Sequence, residues 1–505
     1  MVGPAAAVAG LSVVAKLLGF VREQLIAHRF GASSVTDAFL VGTLLPNFAA
    51  VVLASGVGTA YLPIYARVRE HGDDEGALNK AVLVAVLAIG SVLGVMGALL
   101  SERMIDWFAP TLSGEAFSLA VYTSRVSHLI IVCNMLGAMF KALLTGNGRP
   151  YAPTWAALTQ NLVTVVALLG LAGALGPVAL PISSVAGFIA YAGTQAVFVG
   201  RTSAIKWSGA PAIGSEHTRA LLAMSIPIML INLVNQVSVF AERGLAVRLS
   251  PGSVAALSFA DKIRQIPVGL WLAVVSSILF PTLTKTVVTG NRERFRNLVE
   301  NAYTLMAFVL MPFIVWLLQY SLPLVTVLYE RGSFTSEATS LTSTALMCYA
   351  PSIVGLSMIA LLDFALFALE DSYTPLLSSI IVTGVTVTVS WTLVGSFGHA
   401  GLAVGSTVGT LAGMAFETFA LAKKGYLSVR NVLGDLLRVL AASGFMMGTM
   451  RLIRLYLDWP GQEHSGLESL VLSLGTGIIG GIAYLVALRL LKVRVSLSFE
   501  RNEQL

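Results

Sequence analysis

Apolar runs long enough to cross a bilayer follow one another along the whole chain, separated by short polar stretches. A spanning helix needs roughly 20 residues, and about 18 predominantly apolar ones already mark a candidate. On that criterion helices are predicted over 4–30, 36–65, 78–100, 116–144, 151–171, 178–199 and 218–248. A second series is predicted over 253–288, 298–328, 338–369, 374–394, 401–421, 432–455 and 467–490. The fold class is therefore all-α and polytopic, with about fourteen transmembrane helices. Composition agrees: of 505 residues 56% are hydrophobic and 11% charged, against roughly a quarter charged in soluble proteins. A lone soluble domain is excluded, and the first apolar run reads as a retained helix and not a cleaved leader.

The net charge of +6 is distributed by topology. Lys and Arg are retained on the cytoplasmic side of a membrane, and alternate loops separate them sharply. One set holds Arg67, Arg69, Lys141, Arg149, Arg201, Lys285, Arg292, Arg294, Arg296, Lys423 and Lys424; the other holds mainly Arg29, Arg103, Arg248 and Arg331. Both termini are thus expected in the cytoplasm, which requires an even number of spans. A repeat is also visible. Pro46 and Pro63 in the second run match Pro267 and Pro281 in the eighth, and Arg22-Glu23 in the first matches Glu242-Arg243 in the seventh. Two halves of like orientation are common in transporters.

A charge at the centre of a bilayer costs roughly 3 kcal/mol or more, so such residues usually face a protein-lined or watery cavity. Lys16, Arg22, Glu23, Asp37, Glu242, Arg243, Asp261 and Lys262 fall in the first, second, seventh and eighth runs. Lys16 and Glu23, seven apart, share a helix face; Asn232, Gln236 and Arg243 form a stripe on the seventh helix. For Arg22, Arg125, Arg264 and Glu417, local ion pairing or snorkelling to an interface is the competing reading. Asp363 stands alone in its run and reads either as a proton or cation site or as a neutral buried carboxyl. Pro46, Pro227, Pro267 and Pro312 sit inside apolar runs, where each removes a backbone hydrogen bond and can kink its helix.

No GxxxxGK[ST], HExxH or GxSxG pattern occurs, the six histidines lack metal-ligand spacing, and Cys133 and Cys348 lie singly in apolar runs. The expectation is a transporter, not an enzyme, with no cofactor and no metal; the identity of any coupling ion stays open. Basic stretches such as 285–296 fit retention and anionic headgroups better than nucleic acid.

Several segments resemble one family. Lys16-Leu-Leu-Gly-Phe-Val-Arg22-Glu23, Phe30-Gly-Ala, Thr36-Asp37-Ala-Phe and Leu45-Pro46-Asn47 are similar to the opening of the MurJ (MviN-type) lipid II flippases. Ala260-Asp261-Lys262, Leu279-Phe280-Pro281, Glu330-Arg331-Gly332-Ser333-Phe334-Thr335 and Ala368-Leu-Glu370-Asp371-Ser-Tyr-Thr374-Pro375 continue the likeness. The resemblance implies a multidrug/oligosaccharidyl-lipid/polysaccharide exporter fold: two six-helix lobes, 1–205 and 206–425, around a central cavity. Residues 426–505 would add two helices bordering a lipid-tail groove, followed by a cytoplasmic tail. It implies a monomer in the bacterial cytoplasmic membrane that moves an undecaprenyl-diphosphate-linked peptidoglycan precursor outward by alternating access, among membrane lipids. Carried over by motif, Lys16, Arg22, Asp37 and Lys262 match charged cavity positions of the family and would meet the headgroup; from their place in the apolar runs Arg243 and Glu242 join them as substrate-binding candidates, and Glu23, Asp261 and Asp363 are candidates for coupling or gating. After Asn47 the family commonly has arginines and a Glu-Gly pair, where this chain has Phe48-Ala49-Ala50-Val51 and Ser55-Gly56. Another undecaprenyl-linked glycan, or a cation-coupled multidrug export activity on a related fold, therefore stays open.

Overall fold

In hydrocarbon every backbone N–H and C=O must be bonded within its own segment, which makes each long apolar run a helix. The computed structural model describes residues 4–456 and 466–491. They form seventeen α-helices, and no strand occurs among the described residues. The first eight are α1 (Pro4–Phe30), α2 (Ser34–His71), α3 (Glu75–Phe108), α4 (Gly114–Ser127), α5 (Leu129–Gly146), α6 (Tyr151–Leu175), α7 (Ala179–Gly200) and α8 (Glu216–Ala246). They are followed by α9 (Ser253–Val274), α10 (Phe280–Val288), α11 (Arg292–Tyr329), α12 (Ser336–Tyr349), α13 (Ser352–Ala368), α14 (Tyr373–Phe397), α15 (His399–Lys423), α16 (Val429–Tyr456) and α17 (Gly466–Leu490). Ten helical stretches are long and apolar enough to cross a membrane, eleven if α12 and α13 count as one.

Three of the predicted helices are broken. The 116–144 run divides at His128, whose ring bonds the Ser124 carbonyl at 2.7 Å. The 253–288 run passes through a π-helical turn at Val275–Leu279, immediately before Phe280-Pro281. The 338–369 run bends by 45° at Ala350-Pro351, where proline has no N–H to continue the ladder. Joining each of these pairs leaves fourteen rods, in agreement with the reading of the hydropathy. By contrast the helices run on through Pro46, Pro227, Pro267 and Pro312, and in α11 the backbone leaves helical geometry at Tyr320, three residues before Pro323.

The chain divides into two compact units, one running to Ala255 and including Arg331–Phe334, the other comprising Ala256–Glu330 and the chain from Thr335 onward. In the first, α2 packs against α4, α5 and α8, and α6 packs against α1 and α7. Its core includes Tyr61, Ile64, Tyr65, Leu78, Ile130 and Leu143. The Arg331–Phe334 segment docks on the end of α1, where Ser333 donates its N–H to the His28 carbonyl at 2.8 Å and its hydroxyl to Arg29 O at 3.0 Å.

In the second unit α14 and α15 form a hairpin, α13 lies on α15, and α11 touches α12, α13, α16 and α17. The last two helices are tied to α11 by Trp316 Nε1–H to Ser473 O (3.0 Å), Gln319 Nε2–H to Met447 O (3.2 Å) and Tyr484 O–H to Phe308 O (3.0 Å). Helices α6 and α14 are each 25 residues long, and each ends at a glycine with φ +54° and ψ −133°, Gly176 and Gly398, before the chain turns back.

Candidate functional site

Helix α1 packs on α6, and its arginine is held from there. Arg22 donates to Glu23 at 2.7 Å and to Asn161 Oδ1 at 3.4 Å. Asn161 in turn donates to the Ala15 and Ala157 carbonyls, each at 3.1 Å. A single amide thus locks α6 to α1 and aims the guanidinium. Arg22 and Glu23 are half-buried and Lys16 is exposed, so the cations of α1 remain accessible while their backbone is fixed. Asn161 was not singled out in the sequence, being an ordinary polar residue in an apolar run.

Asp37, only 5% exposed, occupies the first turn of α2. Its carboxylate accepts the N–H groups of Gly252 (2.6 Å) and Ala255 (2.7 Å), capping the first turn of α9. Orphan N–H groups at a helix start favour such a carboxylate. Arg243 lies near the same carboxylate and donates to Val254 O at 2.8 Å. The two residues predicted to meet substrate therefore meet each other around one backbone turn, with half-buried Glu242 alongside. Where the sequence lacks arginines after Asn47, Phe48 packs on Phe240 of α8 at 5.9 Å, and Phe240 on Phe108 at 4.5 Å. That surface is aromatic and apolar.

In the second unit Asp261 pairs with Arg264, one turn along α9, with Nε–H to Oδ1 at 2.9 Å. Arg264 also donates to Ser352 Oγ (3.1 Å) and Ser406 Oγ (3.2 Å), and its guanidinium sits 4.2 Å from the centre of the Tyr349 ring. The broken α12–α13 junction supplies both Tyr349 and Ser352. Arg264 is 8% exposed and is the buried cation that joins α9, the junction and α15; snorkelling is excluded for it. Its neighbour Lys262 is half-buried. Asp363, isolated in the sequence, faces Glu417 of α15.

An open cleft of about 800 Å³ lies between α11, α12 and α16. Gln319, Ser340, Ser343, Thr344, Arg451 and Arg454 line it together with leucines and methionines. Its two arginines sat unremarked at the end of an apolar run, where a cation usually signals only the interface. Among the described residues no cluster of His, Cys, Asp and Glu could hold a metal ion.

Outside the spans, the Glu370-Asp371-Ser-Tyr-Thr374 turn is a cap. Asp371 accepts the N–H groups of Tyr373 (3.0 Å) and Thr374 (3.1 Å) at the start of α14 and pairs with Lys424 after α15. Burial opposes its charge, but the Lys424 ammonium and the Thr374 hydroxyl and N–H outweigh it and hold the carboxyl at about 2.

This helical framework, with cations fixed inside apolar helices, defines a transporter class. It matches an inward-facing multidrug resistance MATE family transporter of the MOP superfamily with a TM-score of 0.69 and 16% identity, over 85% of this chain and 95% of that one. A solved structure of lipid II flippase MurJ in an inward closed conformation matches over 96% of this chain and 99% of that chain, with a TM-score of 0.80 and 20% identity. The family model for lipid II flippase MurJ matches residues 26–459, and the chain belongs to that family. Among curated relatives, the lipid II flippase MurJ of Burkholderia cenocepacia is 28% identical over 482 residues, covering 92% of both chains. The probable lipid II flippase MurJ of Rhizobium meliloti is 28% identical over 417 residues, covering 80% of this chain and 77% of the relative.

Proposed function

We propose that this chain flips lipid II, the undecaprenyl-diphosphate-linked peptidoglycan precursor, from the cytoplasmic to the outer leaflet of the bacterial cytoplasmic membrane. The observation that carries this reading is the family match across residues 26–459. The chemistry of the chain is compatible: a diphosphate crossing a low-dielectric interior needs fixed cations, and Arg22 is held ready by Asn161. In this reading Lys16, Arg22 and Lys262 meet the headgroup. Asp37, Arg243 and Glu242 shape the turn beside it, and Glu23 and Asp261 set the orientation of the neighbouring arginines. The protein acts as a monomer without enzymatic turnover, nucleic acid or cofactor. Residues 1–205 and 206–425 form the repeated lobes, 426–505 carry the added pair and tail, and both termini are cytoplasmic. Alternating access follows from two rocking lobes.

Expression in cells depleted of their own lipid II flippase tests this. The chain should restore growth, and Arg22→Ala at equal membrane abundance should not. Failure of the inserted wild-type chain to rescue would remove lipid II as the substrate. The Phe48–Phe240–Phe108 surface favours a second reading, a different undecaprenyl-linked glycan; rescue of a strain lacking an exopolysaccharide or O-antigen flippase would then replace it.

A further inference from the structure

Four successive turns of α15 present a glycine to α14, and the register between the two helices is constant. Gly401 lies against Leu393, Gly405 against Ser390, Gly409 against Thr386, and Gly413 against Val382, Ile359 and Ser378. The next residue of this stripe is Glu417. Its carboxyl faces the Ser378 hydroxyl from α14 and the Asp363 carboxyl from α13. Glu417 is 0% exposed and Ser378 1%. The two carboxyls and the Ser378 hydroxyl act on one another, yet neither Glu417 oxygen, Asp363 Oδ1 nor the Ser378 hydroxyl has a partner within strict hydrogen-bond geometry. Asp363 is half-buried, so the pair has one accessible edge and one sealed one.

Among the described residues, no Lys, Arg or His is among the groups that act on the pair. Helix α14 has no Asp, Glu, Lys, Arg or His, and α13 has only Asp363. Tyr303 of α11 approaches the adjacent turn, its hydroxyl 3.5 Å from Thr418 Oγ1. Arg264 is engaged with Asp261, Ser352 and Ser406, and Arg438 of α16 with Asp435. On α12, Tyr349 carries the Arg264 guanidinium and Glu337 lies in the first turn; α10 contributes Lys285 in its last turn. His399 at the far end of α15 bonds Leu341 O, and Lys424 pairs with Asp371.

Two carboxyls side by side in an apolar interior cannot both ionise. Either a proton or a cation must lie between them. A metal ion needs oxygen ligands on all sides, whereas the side-chain groups that face one another here are two carboxyls and one hydroxyl, and no cluster of His, Cys, Asp and Glu among the described residues could hold a metal ion. We propose that Asp363 and Glu417 form a proton-binding pair whose loading and unloading is coupled to the transport cycle. The proton enters on an Asp363 oxygen at the accessible edge, passes to Glu417, and leaves by the same edge; no other bond forms or breaks. The coupling rests on the flippase reading, whereas the proton site does not.

Infrared spectroscopy of the purified chain in lipid nanodiscs reads the site directly. A carboxyl C=O band should change with pH, disappear in both Glu417→Gln and Asp363→Asn, and shift its midpoint in Ser378→Ala, which keeps both carboxyls. A band that ignores pH, or that persists in both variants, overturns the proposal, as does a band that responds to sodium at constant pH. In proteoliposomes holding a pH-sensitive dye, lipid II should elicit proton movement that Glu417→Gln abolishes. Flipping without proton movement would overturn the coupling and leave the flippase reading intact. A titrating band in a chain that moves no lipid II would retain the proton site and sink the substrate instead.

Discussion

A guanidinium inside a helix bundle is stable only when its donors are occupied and a counter-charge lies close. Arg264 meets both conditions through Asp261, Ser352, Ser406 and the Tyr349 ring. Arg264→Ala should therefore lose about 3–5 kcal/mol, since it removes one member of a buried ion pair together with its hydrogen bonds to both serines; unfolding in nanodiscs measures this. Half of this constellation was legible. The Asp261 partner lies at i+3 on one helix, whereas Ser352 and Ser406 are 88 and 142 residues away and no local rule points to them. The same holds for Asn161, 139 residues from Arg22. Asp371 gives a pH-dependent case. Its folded value of about 2 is below the unfolded value of about 3.9, so its stabilisation is full above the latter and is lost as pH falls through the former. The thermal midpoint of the wild-type chain in detergent should fall across that window, and Asp371→Asn should flatten the fall.

At the scale of elements, the α6–α7 and α14–α15 hairpins depend on glycine in two different ways. Gly176 and Gly398 adopt φ +54° and ψ −133° with open space around a would-be side chain. Alanine there is strained by backbone alone, and each substitution should lose about 1–3 kcal/mol. Gly173→Ala and Gly395→Ala, also in open space but inside helices, should instead gain up to about 1 kcal/mol, a contrast that unfolding curves resolve. Along α15 the need is for close approach: a side chain at Gly405 would meet the Ser390 backbone nitrogen at 2.8 Å, and one at Gly409 the Val382 carbonyl at 2.8 Å. Leucine at Gly405 should force the hairpin apart and lower the yield of folded protein in size-exclusion profiles. The glycine spacing was readable in the sequence, but among 47 glycines nothing local showed that these four line up against one partner helix. The breaks at His128, Val275–Leu279 and Pro351 escaped for a related reason. Hydropathy integrates over a span and is blind to a bend inside it, and four prolines that read as kinks sit in helices that continue through them.

At the scale of the whole molecule, the distribution of Lys and Arg makes a topological prediction. With Cys133 and Cys348 replaced by alanine, Gly290→Cys should stay protected from an impermeant maleimide in intact cells, while Ser113→Cys reacts; the opposite labelling would invert the orientation. Composition and periodicity alone determined that the chain is a helical membrane protein and roughly where its apolar runs lie, because solvation by lipid acts on every residue of a span and leaves a long, redundant signal. The short motifs around Arg22, Asp37, Asp261 and Asp371 likewise pointed to the flippase family before any coordinates. Only the tertiary structure decided what those residues touch: Asp37 caps a helix 215 residues away, Arg264 and not Lys262 is the sealed cation, and Asp363 is not solitary but faces Glu417. Such pairings arise from helix packing between distant segments, where a single side chain decides the outcome and one sequence holds no record of its neighbour.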